Sequence, residues 1–198
     1  MPFNIQEFKS VVEGNRGLMR NNRFLVEFPP PRKLAGILNA GVSAPFGNIL
    51  SFYCKGAPLP GIGILTSDVY RYGYCPIERR PYGTVFNDAM IHFYVDANNQ
   101  VRKWFREWIK LMVNPDMPNG IVSQNRLTGQ AAYEFSYKND YAVDVRITAF
   151  DPEGNPTISV VLCEAFPNYI GDVMQDWEDK NSSMVMPISL TFRDWYED

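Results

Sequence analysis

The chain has 198 residues, 45% of them hydrophobic and 14% aromatic, and carries a formal net charge of −3. That length and apolar content fit one globular domain with a substantial core and exclude global disorder. The acidic balance excludes a protein whose main work is gripping nucleic acid by neutralising phosphates.

Asn4 to Glu13 reads as a short amphipathic helix. Asn4 can cap it with Glu7 as reciprocal partner, Ile5, Phe8, Val11 and Val12 share a face, and Gly14 can end it. A basic stretch, Arg16 to Arg23, leads into a strand, Phe24 to Phe28. The strand stops at Pro29-Pro30-Pro31, which cannot donate to a ladder. The triple proline could also dock in an aromatic groove, but no second PxxP-type repeat accompanies it. Residues 29–49 mix small residues, Gly and Pro and read as an insertion loop. Leu50 to Lys55 reads as a further strand, followed by the turn cluster Gly56 to Gly61. Gly61-Ile62-Gly63 lacks the third Gly, the Lys and the following helix of a phosphate loop. Residues 62–82, rich in Tyr and Arg with little apolar periodicity, read as a long exposed hairpin or arm.

Ala89 to Val95 alternates Ile91, Phe93 and Val95 against Met90, His92 and Tyr94, which predicts a strand. His92 is the single histidine and has no second His to join it in a metal or catalytic site. Asp96 to Val113 is expected to be the one long helix, ended by Asn114-Pro115. Its stripe of Val101, Trp104, Phe105, Trp108, Ile109, Leu111 and Met112 lies opposite Arg102, Lys103, Arg106, Glu107 and Lys110. Aromatic and basic residues together could bind nucleic acid, yet their segregation to opposite faces fits a helix packed on a sheet. Residues 114–130 read as a second insertion loop.

Ala142 to Phe150 and Thr157 to Ala165 read as strands joined by the turn Asp151 to Pro156. A Phe166-Pro167 turn is then expected to open a short helical segment bearing Ile170, Met174 and Trp177. An acidic loop follows, and a last strand runs from Met186 to Phe192 and on toward Tyr196. From Glu164 onward there are eight acidic and two basic residues, a net of −6, which leaves +3 for the rest. Such a split can pair one copy of a chain with the next, or simply mark a solvated end.

Three dispersed cysteines, Cys54, Cys75 and Cys163, imply neither a disulfide framework nor a metal site, and suggest synthesis inside a cell. The first residues have no signal-peptide pattern, and no apolar run is long enough to span a bilayer. Asp172 and Asp176, four apart, could share a helical face and do acid–base work, as in a hydrolase. No second carboxylate cluster completes such a site, and no nucleophile or zinc-protease motif is present. The sequence therefore predicts no enzyme, no cofactor and no metal.

The order of elements carries a resemblance over nearly the whole length. It rests on Phe24–Phe28, on Phe52-Tyr53-Cys54-Lys55-Gly56-Ala57-Pro58-Leu59-Pro60-Gly61, and on Gly83-Thr84-Val85-Phe86-Asn87-Asp88 before a strand. The Asp96–Met112 helix with its Trp and Phe and the closing block (Phe166-Pro167, Asp176-Trp177, Leu190 to Tyr196) complete it. In these the chain resembles the tail tube proteins of contractile-tailed, T-even-type bacteriophages. The resemblance implies a mainly β (α+β) fold, a small β-barrel or sandwich with one packed α-helix, shared with the type VI secretion tube. It implies a single domain over 1–198, six copies joined into a hexameric ring, and rings stacked helically into a tube. Expected partners are further copies, tail sheath, tape-measure, baseplate and tail-terminator proteins, and double-stranded DNA passing through the lumen without specific binding. No membrane insertion is expected. The expected location is the virion tail, made and assembled in the host bacterial cytoplasm. A baseplate or tube-initiating relative of the same fold is the alternative, with a type VI secretion-like tube protein a further one. Inter-ring contacts are expected from Tyr70, Arg71, Tyr72, Tyr74, Arg79, Arg80 and Tyr82. A lumen-facing set is expected from Asp144, Arg146, Ser189, Thr191 and Arg193.

Overall fold

A computed structural model describes residues 4–14, 17–34, 46–70, 73, 76–113, 135–173, 175–177 and 182–198. Arg71, Tyr72, Tyr74, Met174 and the 114–130 loop lie outside the described residues, as do residues 35–45 of the first expected insertion.

The chain is mainly β, in line with the expected class. Seven strands form one antiparallel, nearly closed barrel-like sheet, in the order β1 (Phe24–Glu27), β6 (Val143–Phe150), β7 (Pro156–Ile170), β8 (Val185–Thr191), β5 (Ala89–Tyr94), β2 (Cys54–Gly56). Strand β9 (Asp194–Glu197) continues the line of β8 and pairs with the first half of β7. The arm expected at residues 62–82 is present as a separate two-stranded sheet, β3 (Gly63–Val69) and β4 (Glu78–Val85).

Alternation sets the inner face. Ile91 opposite Ile188 and Ile147 opposite Val26 and Val160 all point to one core. Helix α3 (Gln100–Met112) closes that core with Val101, Trp104, Phe105, Trp108 and Leu111, all buried. Its rings join a cluster with Phe28 and Phe93, with centroids 5.6 Å apart for Phe28–Phe93 and 5.0 Å for Phe93–Phe105. The Trp108 indole N–H donates to the Tyr141 carbonyl at 2.8 Å and ties α3 to α4 (Lys138–Tyr141). Core packing is thus the role of the aromatic stripe, as its segregation from the basic face requires.

Three expectations are corrected. Leu50–Lys55 is not one strand: α2 (Phe46–Phe52) runs through its first residues, and only Cys54–Gly56 pairs. The alternation of Leu50, Phe52 and Cys54 mimicked a strand, but a helical turn buries Leu50 and leaves Phe52 84% exposed. The long helix begins at Gln100 rather than Asp96, because Asn99 adopts a left-handed conformation (φ 56°) that breaks the helical path. Asp96 still serves the helix start, accepting the Val101 N–H at 3.1 Å. Among the described residues the helical segment expected after Phe166-Pro167 is not formed: β7 runs on to Ile170, which pairs with Ile188. Pro167 is tolerated inside this strand because the register shifts just beyond it, between Pro167 and Tyr169. At the other end of the chain the amphipathic helix stands as α1 (Ile5–Gly14), with Asn4 Oδ1 accepting the Gln6 N–H at 3.0 Å.

Candidate assembly surfaces

The outward face of the sheet has two unlike halves. One is formed by β1, β6, the first half of β7, and β9. There Glu27 lies opposite Arg146, Arg146 opposite Val161, and Val161 opposite Tyr196. Arg146 Nη2 reaches the Asp198 carboxylate at 2.8 Å, and the Thr148 and Ser159 hydroxyls are 3.5 Å apart. The other half is formed by β2, β5, β8 and the end of β7. It presents Met90, His92 and Tyr94 from β5, with Tyr169 and Met90 flanking Ser189. Lys55 stands over the Tyr94 ring, its ammonium 5.8 Å from the centroid.

Between the halves β7 changes partners at a bulge. Cys163 and Glu164 together face the single residue Asp144, because Val143 pairs with Ala165 and Val145 with Leu162. Glu164 takes φ 52°, a left-handed conformation that non-glycine residues avoid at a cost of about 1–2 kcal/mol. Asp144 Oδ1 accepts the Glu164 N–H at 2.9 Å and holds that conformation. The Glu164 carboxylate is gripped by Lys138 and Arg193, and the Lys138 hydrogen bond chiefly holds its pKa below the ordinary range. Arg193 also reaches Asp194 at 3.3 Å. The Asp194 pKa is lowered by the Cys163 thiol, which donates to it, and by Arg193. Burial and that same carboxylate push the Cys163 thiol up to about 11, so it stays protonated at neutral pH.

The expected lumen set falls across this geometry. Asp144, Arg146 and Arg193 are exposed on the charged half or at the bulge, and two of them also hold the bulge together. Thr191 donates to Asp88 at 3.0 Å, and Asn168 reaches the other oxygen of that carboxylate at 2.6 Å. Ser189 is 6% exposed and offers the subunit surface almost nothing. No spacing in the sequence signals the Glu164 bulge.

Of the expected inter-ring set, Tyr70, Arg79, Arg80 and Tyr82 are exposed on the arm. No residue of β3 or β4 is buried. Arg79 pairs across the hairpin with Asp68 at 3.4 Å, and Arg80 with Glu78 at 3.0 Å. At Gly63 a Cβ would lie 2.7 Å from the Val85 side chain, so a larger residue there would force that side chain to shift.

Asp172 and Asp176 share no helix, so the paired-carboxylate geometry is not formed. Asp172 lines an open polar cavity of about 500 Å³ with Asp96, Asn99 and Arg102, while Asp176 stands outside it. Among the described residues no group of three His, Cys, Asp or Glu could hold a metal ion. Among them, too, no helix is long and apolar enough to cross a membrane.

Known structures share this fold. A chain of the anti-feeding prophage (AFP) baseplate is similar with a TM-score of 0.56 at 13% identity, over 91% of this chain and 95% of that one. A chain of the extended sheath–tube complex of the PVC extracellular contractile injection system gives 0.54 at 14% identity, over 91% of each chain. A chain of the AFP tube-terminating cap gives 0.54 at 16%, again over 91% of each. No curated protein matches the sequence. The family model described as phage tail tube protein matches residues 19–198, and the chain therefore belongs to that family, whose members build structures rather than catalyse reactions.

Proposed function

We propose that this chain is the tube subunit of a contractile phage tail. Six copies close into a ring, and rings stack into a tube inside a sheath. The lumen holds a tape-measure protein and then passes double-stranded DNA during ejection. The carrying observation is the arm: a two-stranded sheet with no buried residue, on a chain of the tail tube family. An isolated hairpin of this kind is marginal in water and gains stability from a partner surface. A lumen lined by the charged half, with Asp144, Arg146 and Arg193, suits the passage of DNA. Its two arginines are already paired, and an acidic subunit repels phosphate. The particle is the virion tail, assembled in the host cytoplasm.

Negative-stain microscopy of the purified protein tests this. Rings with six-fold class averages, extending into tubes, are expected; a monomer that persists at high concentration overturns it. A second reading, a baseplate or tube-initiating ring, has its own support, because baseplate and cap chains are as similar in fold as the sheath–tube chain. That protein would form rings that do not lengthen unaided.

A further inference from the structure

The two strands of the arm carry two arginines, Arg79 and Arg80, and both are paired within the hairpin. Asp68 takes Arg79 and Glu78 takes Arg80, within the hairpin itself. What the arm has left to offer is apolar and aromatic: Ile64 is 66% exposed and Tyr82 68%. A surface that receives it should likewise be apolar and short of unpaired charge, since burying ions against it would cost their hydration.

The outward face contains an area that comes near this, with one cation, Lys55, held over the Tyr94 ring. Met90, Tyr94 and Tyr169 stand exposed around the half formed by β5, β8 and the end of β7, with His92 between the first two. The charged half, with its Glu27, Asp144, Arg146 and Asp198, does not qualify. The geometry also permits the contact. The arm leaves the sheet after β2 and returns into β5, so its root lies at the sheet edge beside the apolar half. A strand of eight residues reaches about 26 Å at about 3.3 Å per residue, enough to cross onto a neighbouring molecule. An arm seated on a different patch of the next copy makes a head-to-tail contact, the kind that closes rings or continues helically. Tyr and Met are also the side chains that interfaces favour.

We propose that the arm of one copy seats on the apolar half of the outer sheet face of a second copy, Ile64 and Tyr82 lying against Met90, Tyr94 and Tyr169. This rests on the ring-forming reading above and adds to it the receiving surface and the nature of the contact. The contact is apolar, and Arg79 and Arg80 keep their own carboxylates rather than bridging to the neighbour.

Disulfide trapping tests it. Ile64→Cys and Met90→Cys proteins are mixed, assembled, oxidised and run on a non-reducing gel. A covalent dimer is expected from the mixture, far above the level given by either variant alone. None is expected when Ile64→Cys is mixed with Arg146→Cys on the charged half. Tyr82→Cys with Tyr94→Cys provides a second pair, so a fault in one variant does not decide the matter. The yield should hold between 0.1 M and 1 M salt, roughly, where the screening length falls from about 10 Å to about 3 Å. Assembled particles without the dimer, a dimer with Arg146→Cys instead, or a yield that collapses in salt would overturn the proposal and leave the ring intact. Absence of rings and tubes in micrographs of every sample, wild type included, would overturn both, and so tells the two failures apart.

Discussion

The two halves of the outer sheet face are built from the same alternation and share strand β7, yet they solve opposite problems. On the charged half the main basic groups have partners in their own chain: Arg146 has Asp198, and Lys138 and Arg193 have Glu164. Such a face is complete in water and gains little from a protein partner. On the other half Met90, Tyr94 and Tyr169 keep apolar surface in water that only a partner can remove, at roughly 25 cal/mol per Å². Polarity alone therefore separates the half that suits a channel from the half that suits a joint.

The largest expected effect destroys both halves at once. The β8–β9 line pairs with β5 and with both parts of β7, and it brings Leu190, Phe192 and Trp195 to the core. Removing Leu190 to Asp198 should abolish folding, seen as loss of the cooperative melt by circular dichroism. Soluble rings from that truncation would refute the central role of this line.

Next, Met90→Glu should leave the melting temperature within a few degrees of wild type but eliminate rings, by placing an unpaired charge in the proposed joint. Arg146→Gln should do the reverse, costing a little stability and sparing rings. If the two variants assemble equally well, the division between the halves fails.

Asp144→Ala removes the acceptor for the Glu164 N–H and should cost about 1 kcal/mol, a fall of about 2–4 °C in a thermal melt. Smallest is the effect of Glu164→Gln, a loss of stability present at neutral pH that disappears in acid. The Glu164 pKa is lowered in the folded state, so its contribution is present above the ordinary carboxylate value and lost as pH falls through the lowered one. Melting temperatures followed from about pH 6 to about pH 3, across the ordinary carboxylate range, should therefore decline less steeply in the variant. An unchanged acid limb would show that the carboxylate's ion pairs carry no stability.

Much of the fold was legible because it follows from periodicity. The β5 alternation, the α3 stripe and the arm all stand within a few residues of their expected bounds. The misreadings have local causes. Leu50 and Phe52 alternate as a strand would, but one is buried and the other exposed by a helical turn. Phe166-Pro167 resembles a turn, and only the pairing of Ile170 with Ile188 shows that β7 continues. At the surfaces, the sequence picks out Tyr82 and Arg79 as exposed. It cannot show that Arg79 is already matched by Asp68, since that depends on hairpin register. Nor does it reveal Met90, Tyr94 and Tyr169 as one area, because β8 must first come between β5 and β7.

That insertion of β8 also fixes an order in time. Thr191 meets Asp88 across 103 positions of chain, and β5 cannot join β7 until residues 185–191 exist to lie between them. While the ribosome is still making them, the growing chain holds two unjoined pieces of sheet, each with an open strand edge. Closing so long a loop makes folding slow, and the open edges are vulnerable to aggregation meanwhile. Because Met90 and Tyr94 come to lie beside Tyr169 only through β8, the apolar area cannot recruit a neighbour before synthesis has passed this strand. In the proposed assembly, recruitment of a neighbour therefore waits on β8.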